Sequence, residues 1–253
     1  MRQAISTSVT LASLLTACPA LATEPAEDWQ LSVMPYLWAT QLKGTSQIRN
    51  LPKTEVDMSF SDIMNTLDMG FMGTAELQKG RWGFLFDSIY TKNSESVSAG
   101  GINASADAKI RLEQTMLSGA LAYRWLDQPV SSDAYLGVRY TRIHEQLDLN
   151  ARTPGATADI NQSQAVEWTE PFIGLRGRLP LGDSLALLAG GDVGGFEVGS
   201  ELTTQVQLGL AYGISERSEL QAGYRYMKVE YDKDDFDYNM KTRGPYLGLS
   251  YRF

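Results

Sequence analysis

The tightest constraint on this chain is the period of its hydrophobicity. Beyond residue 22, apolar residues recur at every second position in runs broken by turn residues, the mark of β-strands with two unlike faces. Trp82, Phe84, Phe86 and Tyr90 show it, and Leu247, Leu249, Tyr251 and Phe253 close the chain with it. No segment there approaches the roughly 18–20 apolar residues of a membrane-spanning helix. Glycine contributes 23 of 253 residues and aromatics 10%, which suits twisted β structure with glycine at its bends. With 21% charged and 43% hydrophobic residues, the chain is not a disordered polyelectrolyte.

The same alternation assigns charges to the face opposite the apolar one. Counting from outward apolar neighbours places Glu76, Asp87, Arg124, Arg139, Glu170, Arg176, Arg178, Asp192, Arg225 and Arg252 together inside. A sandwich core would not hold ten charges, whereas an Arg in lipid costs about 2–4 kcal/mol at the midplane. The pattern therefore predicts an all-β, transmembrane, antiparallel up-and-down barrel with an apolar outer wall and a charged lumen.

Ten strands are expected, centred on 29–42, 68–79, 82–94, 108–125, 134–149, 166–179, 184–197, 202–214, 218–230 and 241–253. Eight or twelve stay open, because 43–67 is hard to place: Val56–Phe60 alternates like a strand, and Ser61-Asp62 offers a helix cap. Tight turns at Lys79-Gly80-Arg81, 127–133, Leu181-Gly182-Asp183 and Ser215-Glu216-Arg217 alternate with longer polar loops near 43–67, 95–106, 150–165 and 231–240. The connection near 197–204 is shorter. Short turns at one end and long loops at the other are expected of outer-membrane barrels. Trp29, Trp82, Tyr90, Tyr123, Trp125, Tyr140 and Tyr212 fall where interfacial girdles would lie, and Tyr251 and Phe253 read as a terminal assembly signal.

Residues 1–22 read as an export signal, with Arg2, a weakly apolar stretch from Ala4 to Ala17 and an Ala20-Leu21-Ala22 cleavage site. This leaves 23–253 as the barrel. Leu15-Thr16-Ala17-Cys18 also resembles a lipobox, in which Cys18 would carry lipid. Cleavage after Ala22 would remove the chain's one cysteine and with it any disulfide framework.

Little remains for catalysis or metals. His144 is the one histidine and reads as a solvated strand extension. Asp232, Asp234, Asp235 and Asp237 lack the glycine and closing Glu of an EF-hand loop and read as a solvated loop, with a divalent cation or cation-bridged lipopolysaccharide as the alternative. No cofactor motif appears. A net charge of −8 argues against nucleic acid.

Pro35-Tyr36-Leu37-Trp38-Ala39, Ser59-Phe60-Ser61-Asp62-Ile63 and Met72-Gly73-Thr74-Ala75-Glu76-Leu77-Gln78-Lys79-Gly80-Arg81-Trp82-Gly83 resemble a family of uncharacterised proteobacterial outer-membrane β-barrel proteins. The resemblance implies one barrel in a Gram-negative outer membrane and carries over no catalytic residue. The expectation is a monomer, inserted by the barrel-assembly machinery among outer-membrane lipids and lipopolysaccharide. Its role would be a small passive channel or an envelope structural protein. A lipid-modifying barrel enzyme and a lipoprotein with a soluble β domain are the rivals. Within the channel reading, Arg124, Arg176, Arg178 and Arg252 would form a positive, anion-favouring periplasmic end; the other reading is a salt-bridged, filled lumen.

Overall fold

The computed structural model describes residues 28–48, 54–101, 104–153, 155–233 and 236–253. The expected signal segment and Cys18 lie outside them. The described residues form β1 (Gln30–Trp38), β2 (Gln41–Ile48), β3 (Thr54–Met58), α1 (Phe60–Thr66), β4 (Leu67–Lys79), β5 (Trp82–Gly101), β6 (Ala104–Leu126), β7 (Ser131–Thr153), β8 (Ala156–Pro180), β9 (Leu185–Gly195), β10 (Leu202–Gly213), β11 (Ser218–Lys233) and β12 (Phe236–Arg252). Among the described residues no helix is long and apolar enough to cross a membrane.

Strands β1 and β4 to β12 form a closed antiparallel ring of ten, each paired with its neighbour and β1 sealed to β12. Ten is the number the alternation predicts. The seam explains why 43–67 resists reading. β1 pairs with the lower half of β12, from Ser32↔Arg252 to Trp38↔Tyr246. The chain bends at Ala39-Thr40, and β2 then pairs with the upper half, from Gln41↔Arg243 to Ile48↔Phe236. β3 folds back on β2, and α1 spans the rim from β3 to β4. Helix α1 starts at a capping box in which the Ser59 hydroxyl accepts from the Asp62 N–H and Asp62 accepts from the Ser59 N–H. The cap is thus Ser59, not Ser61-Asp62 as expected, because Asp62 occupies the third helical position where a carboxylate reaches back. Hydrogen bonds from Ser59 hold the Asp62 carboxyl below its usual range.

The outer wall carries the predicted apolar belt. Leu37, Phe71, Phe84, Leu136, Ile173, Leu208 and Leu247 all stand exposed on it. Trp29, Trp82, Tyr123, Trp125 and Tyr212 are exposed near strand ends. From Trp82 to Tyr90 the belt spans about 20 Å for tilted strands. A continuous apolar wall of this size is far beyond what water-soluble monomers expose.

The stretches 95–106, 150–165 and 231–240, expected as long loops, are instead mostly strand, β11 and β12 staying paired to Lys233↔Phe236. β5 and β6 stay paired to Gly101↔Ala104, and β7 and β8 to Thr153↔Ala156. Above the belt water wets the outer face, so polar residues on both faces no longer argue against a strand; alternation fades while the ladder continues.

The belt half of β10–β12 is drawn tight by two glycines. Gly209 and Gly223 are register partners, and Gly223 faces Tyr246. A Cβ on Gly223 would collide with the Leu208 carbonyl and the Tyr246 ring. The tyrosine therefore covers both glycines, as aromatics do in curved sheets. Gly223→Val should lower unfolding stability in urea by about 3 kcal/mol, the upper range for overpacking. Gly119→Ala, where a Cβ meets open space, should stay within about 0.5 kcal/mol. Heat-modifiable gel mobility and urea titration read both.

Candidate functional site

The lumen has two tiers. In the lower one, toward the short turns, six arginines face six carboxylates. Arg139 is the centre of the buried part. Its guanidinium sits 3.2 Å from Glu170 and 2.7 Å from Asp192 and lies over the Phe172 ring at 4.7 Å. Glu170 also accepts from Trp168 Nε1 at 3.2 Å, from Thr203 Oγ1 at 3.0 Å and from Ser200 Oγ. Arg225 crosses the barrel. It donates to Asp87 and to the Tyr36 hydroxyl, both at 2.9 Å, and to Gln205, and it stacks over Trp38 at 4.8 Å. Tyr36 donates in turn to Asp87 at 2.8 Å.

Below these, Arg176 grips Glu76 bidentately at 2.9 and 2.6 Å and reaches Asp133 at 2.8 Å. Arg124 takes the other Asp133 oxygen at 2.9 Å and Gln78 at 3.0 Å. Arg178 forks onto Glu219. Arg252 lines the same chamber, of about 440 Å³, and makes no ion pair among the described residues. A second space of about 230 Å³ continues upward between Glu76, Arg139, Asp192 and Arg225.

All ten charges assigned to the lumen by alternation thus line this lower half. The positive periplasmic end read from Arg124, Arg176, Arg178 and Arg252 is instead largely balanced, by Asp133 and Glu219. Both acids sit at strand starts beside turn residues, where the alternation is shortest. Parity would have found them: Asp133 lies six residues before Arg139 and Glu219 six before Arg225, so each shares its partner's face. Tyr36, Tyr135, Gln205 and Trp168 were missed because only charges were counted.

The upper tier is apolar. Trp38, Met227, Val229, Tyr231, Phe236, Tyr238 and Met240 are buried together with Ile89, Met116, Ile143 and Trp168. Trp168 lies 4.5 Å from Tyr231, and Phe236 stacks on Tyr238 at 5.9 Å. Strand β11 shows how the sequence does this. Its lower half turns Leu220 and Tyr224 out and Arg225 in, while its upper half turns Met227, Val229 and Tyr231 in, with Lys228 and Glu230 on the outer face. The strand does not slip; its surroundings change from lipid to water. Beside this plug, under α1, lies a largely apolar chamber of about 270 Å³ lined by Met58, Ile63, Met72, Ile89, Leu112 and Met116, among others. Asn93 ties α1 over it, donating to the Ile63 carbonyl and the Thr66 hydroxyl, both at 3.0 Å.

His144 lies on the outer face opposite Glu113, whereas Glu145 faces inward. Of the acidic run, Asp232 and Asp237 are register partners; Asp234 and Asp235 lie outside the described residues. No cluster among the described residues has the ligands to hold a metal.

No family model and no curated protein matches the chain, so the resemblance read from its motifs finds no counterpart there. Solved structures do match in fold. The outer membrane protease OmpT of Escherichia coli is 10% identical over 90% of this chain and 98% of its own, with a TM-score of 0.53. The translocator domain of the autotransporter NalP of Neisseria meningitidis is 13% identical over 89% and 88%, with a TM-score of 0.43. Ail of Yersinia pestis is 14% identical over 91% and 99%, with a TM-score of 0.35. The first of these likenesses is one of fold alone: this chain is a closed ten-stranded barrel of the kind found in outer-membrane proteins.

Removing Arg139 would strand Glu170 and Asp192, both buried. Arg139→Met should therefore cost about 3–5 kcal/mol, as broken buried pairs do. Arg178→Met, breaking a more open pair, should cost at most about 1 kcal/mol. Urea unfolding of the two variants in detergent checks the ranking.

Proposed function

We propose that this chain is an outer-membrane barrel whose lumen is shut at rest, an envelope protein rather than an open passive channel. The observation that carries the reading is the filled lumen: Arg225, Tyr36 and Trp38 span it, and the Trp168–Tyr231–Phe236–Tyr238 layer fills the extracellular side above them. The belt fits lipid, the export-type N-terminus fits passage to the outer membrane, and the terminal Tyr251 and Phe253, exposed on the belt, fit insertion by the barrel-assembly machinery. The ring closes within one chain, so a monomer needs no second copy to complete it. His144 stands on the outer face opposite Glu113, away from the lumen, and this reading assigns it no catalytic part.

A second reading adds a ligand. The chamber under α1 is nearly twice the roughly 150 Å³ of a cavity that holds benzene, and a few polar groups, among them Thr91 and Gln114, edge its apolar lining. It is suited to a small apolar molecule entering from the extracellular mouth.

Two measurements test these readings. In planar bilayers the folded chain should give no steady single-channel current; a stable anion-selective conductance would overturn the shut-lumen reading. An apolar fluorophore such as 1-aminoanthracene should brighten on binding the folded chain. Met72→Trp, which fills the chamber, should weaken that binding about tenfold while leaving gel mobility unchanged; equal binding would remove the second reading.

A further inference from the structure

The outer wall just above the belt carries an unusual row. Lys228 of β11 stands in direct register with Lys241 of β12, and Lys241 with Lys43 of β2. All three point outward, and Arg243 follows on the same face two residues below Lys241, opposite Tyr226. Four cations thus crowd three adjacent strands, with the lysines spread over about 10 Å at ordinary strand spacing. Like charges directly opposite one another destabilise a sheet.

Elsewhere round the wall, the charges described at this height face opposite charges, and the like-charged register pair Asp232 and Asp237 lies four residues further up β11 and β12. Lys92 meets Glu113 across β5 and β6 at 2.7 Å. Arg142 stands in register with Glu167, and Arg111 holds Asp148 at 2.8 Å. In the row itself the acids sit only at the flanks. Asp57 holds Lys43 at 2.9 Å and Glu230 holds Lys228. Lys241 and Arg243, in the middle and both exposed, make no ion pair among the described residues; Arg243 donates only to the Gln41 amide oxygen at 3.2 Å. The row lies immediately above Pro245 and Leu247, where exposed belt gives way to charge. That is the height at which an outer leaflet presents its headgroups.

We infer that Lys43, Lys228, Lys241 and Arg243 form a binding site for the phosphorylated sugar headgroup of an outer-leaflet glycolipid, the lipid A moiety of lipopolysaccharide. A phosphate over Lys241 and Arg243 would take up the donors the sheet leaves unpaired, while the acyl chains lie along Leu37, Tyr224 and Leu247. This replaces cation bridging at the acidic run with direct contact. It rests on the outer-membrane reading above and assigns that reading a specific lipid.

The chain, refolded from urea into lipopolysaccharide-free detergent, is titrated with bis-phosphorylated lipid A and followed by native mass spectrometry. Wild type should retain lipid A. The K241Q/R243Q double variant should bind it about tenfold or more weakly, as expected for losing two charge-assisted contacts. Lys92→Gln, on β5 three strands round the ring from β12, should bind as wild type does. Dephosphorylated lipid A and phosphatidylglycerol should bind wild type no better than lipid A binds the double variant. Equal lipid A binding by wild type and the double variant, or by phosphorylated and dephosphorylated lipid, would overturn the site; phosphatidylglycerol binding as tightly as lipid A would overturn the choice of glycolipid. Heat-modifiable mobility controls for folding. Density fractionation of cell envelopes separates the two ideas. Wild type absent from the outer-membrane fraction sinks the location and this site with it, whereas wild type present there with undiminished binding by the double variant sinks the site alone.

Discussion

A strand crossing lipid finds no hydrogen-bond partner outside its own sheet, and the rest of this structure follows from that. Every backbone N–H and C=O within the belt must be paired, so the sheet must close. Here it closes with ten strands, β1 meeting β12 at the seam. A ring this narrow leaves an interior that side chains can fill, and its inward residues must satisfy one another across a few ångströms. Arginine suits that task, because its planar fork bonds two carboxylates at once. Arg139 between Glu170 and Asp192 does so, as does Arg176 between Glu76 and Asp133. Such buried pairs add little net stability over apolar packing, but once present they penalise any register that separates them.

The second constraint is that the outside is not uniform. Along β11 and β12 the apolar face passes from the outer wall to the lumen without a bulge. Tyr224 and Leu247 face out below, and Met227, Tyr231, Phe236 and Tyr238 face in above. Lipid demands the first arrangement and water the second. The lower tier can be polar because the belt already supplies the hydrophobic surface. Above the belt the outside is wet, so apolar residues can be removed from water only by turning inward.

This inversion also sets what could be read from the sequence. In the belt, strict period two fixed the ten strands, the outward set and the faces of all ten lumen charges. Above it, the rule that apolar means outward reverses, so Val229 and Tyr238 gave no sign of a plug, and the wetted ladders of β5–β8 read as loops. The seam was illegible for another reason. Pairing of β2 with β12 joins residues roughly two hundred positions apart, and nothing local in Gln41–Ile48 announces its partner. Helix α1 was visible only through its cap, because seven residues are too few to show a helical period.

The two tiers differ in what it would cost to open a path through them. In the lower tier, moving Arg139 strands Glu170 and Asp192 in a site largely cut off from water, and each stranded charge costs several kcal/mol. That lattice can shift only as a connected set, keeping its pairs. The upper tier is held mainly by apolar burial, which is non-directional and loses little when side chains of similar volume exchange neighbours. It also borders the chamber under α1, which Met116, Met227 and Ile89 line. Methionine fills irregular gaps at small cost, so these side chains can repack toward α1 without exposing a charge. Rigidity is therefore concentrated at mid-barrel, around Arg139 and Arg225, and adaptability at the mouth opposite the short turns, where α1 is tied down by the two Asn93 hydrogen bonds and its cap.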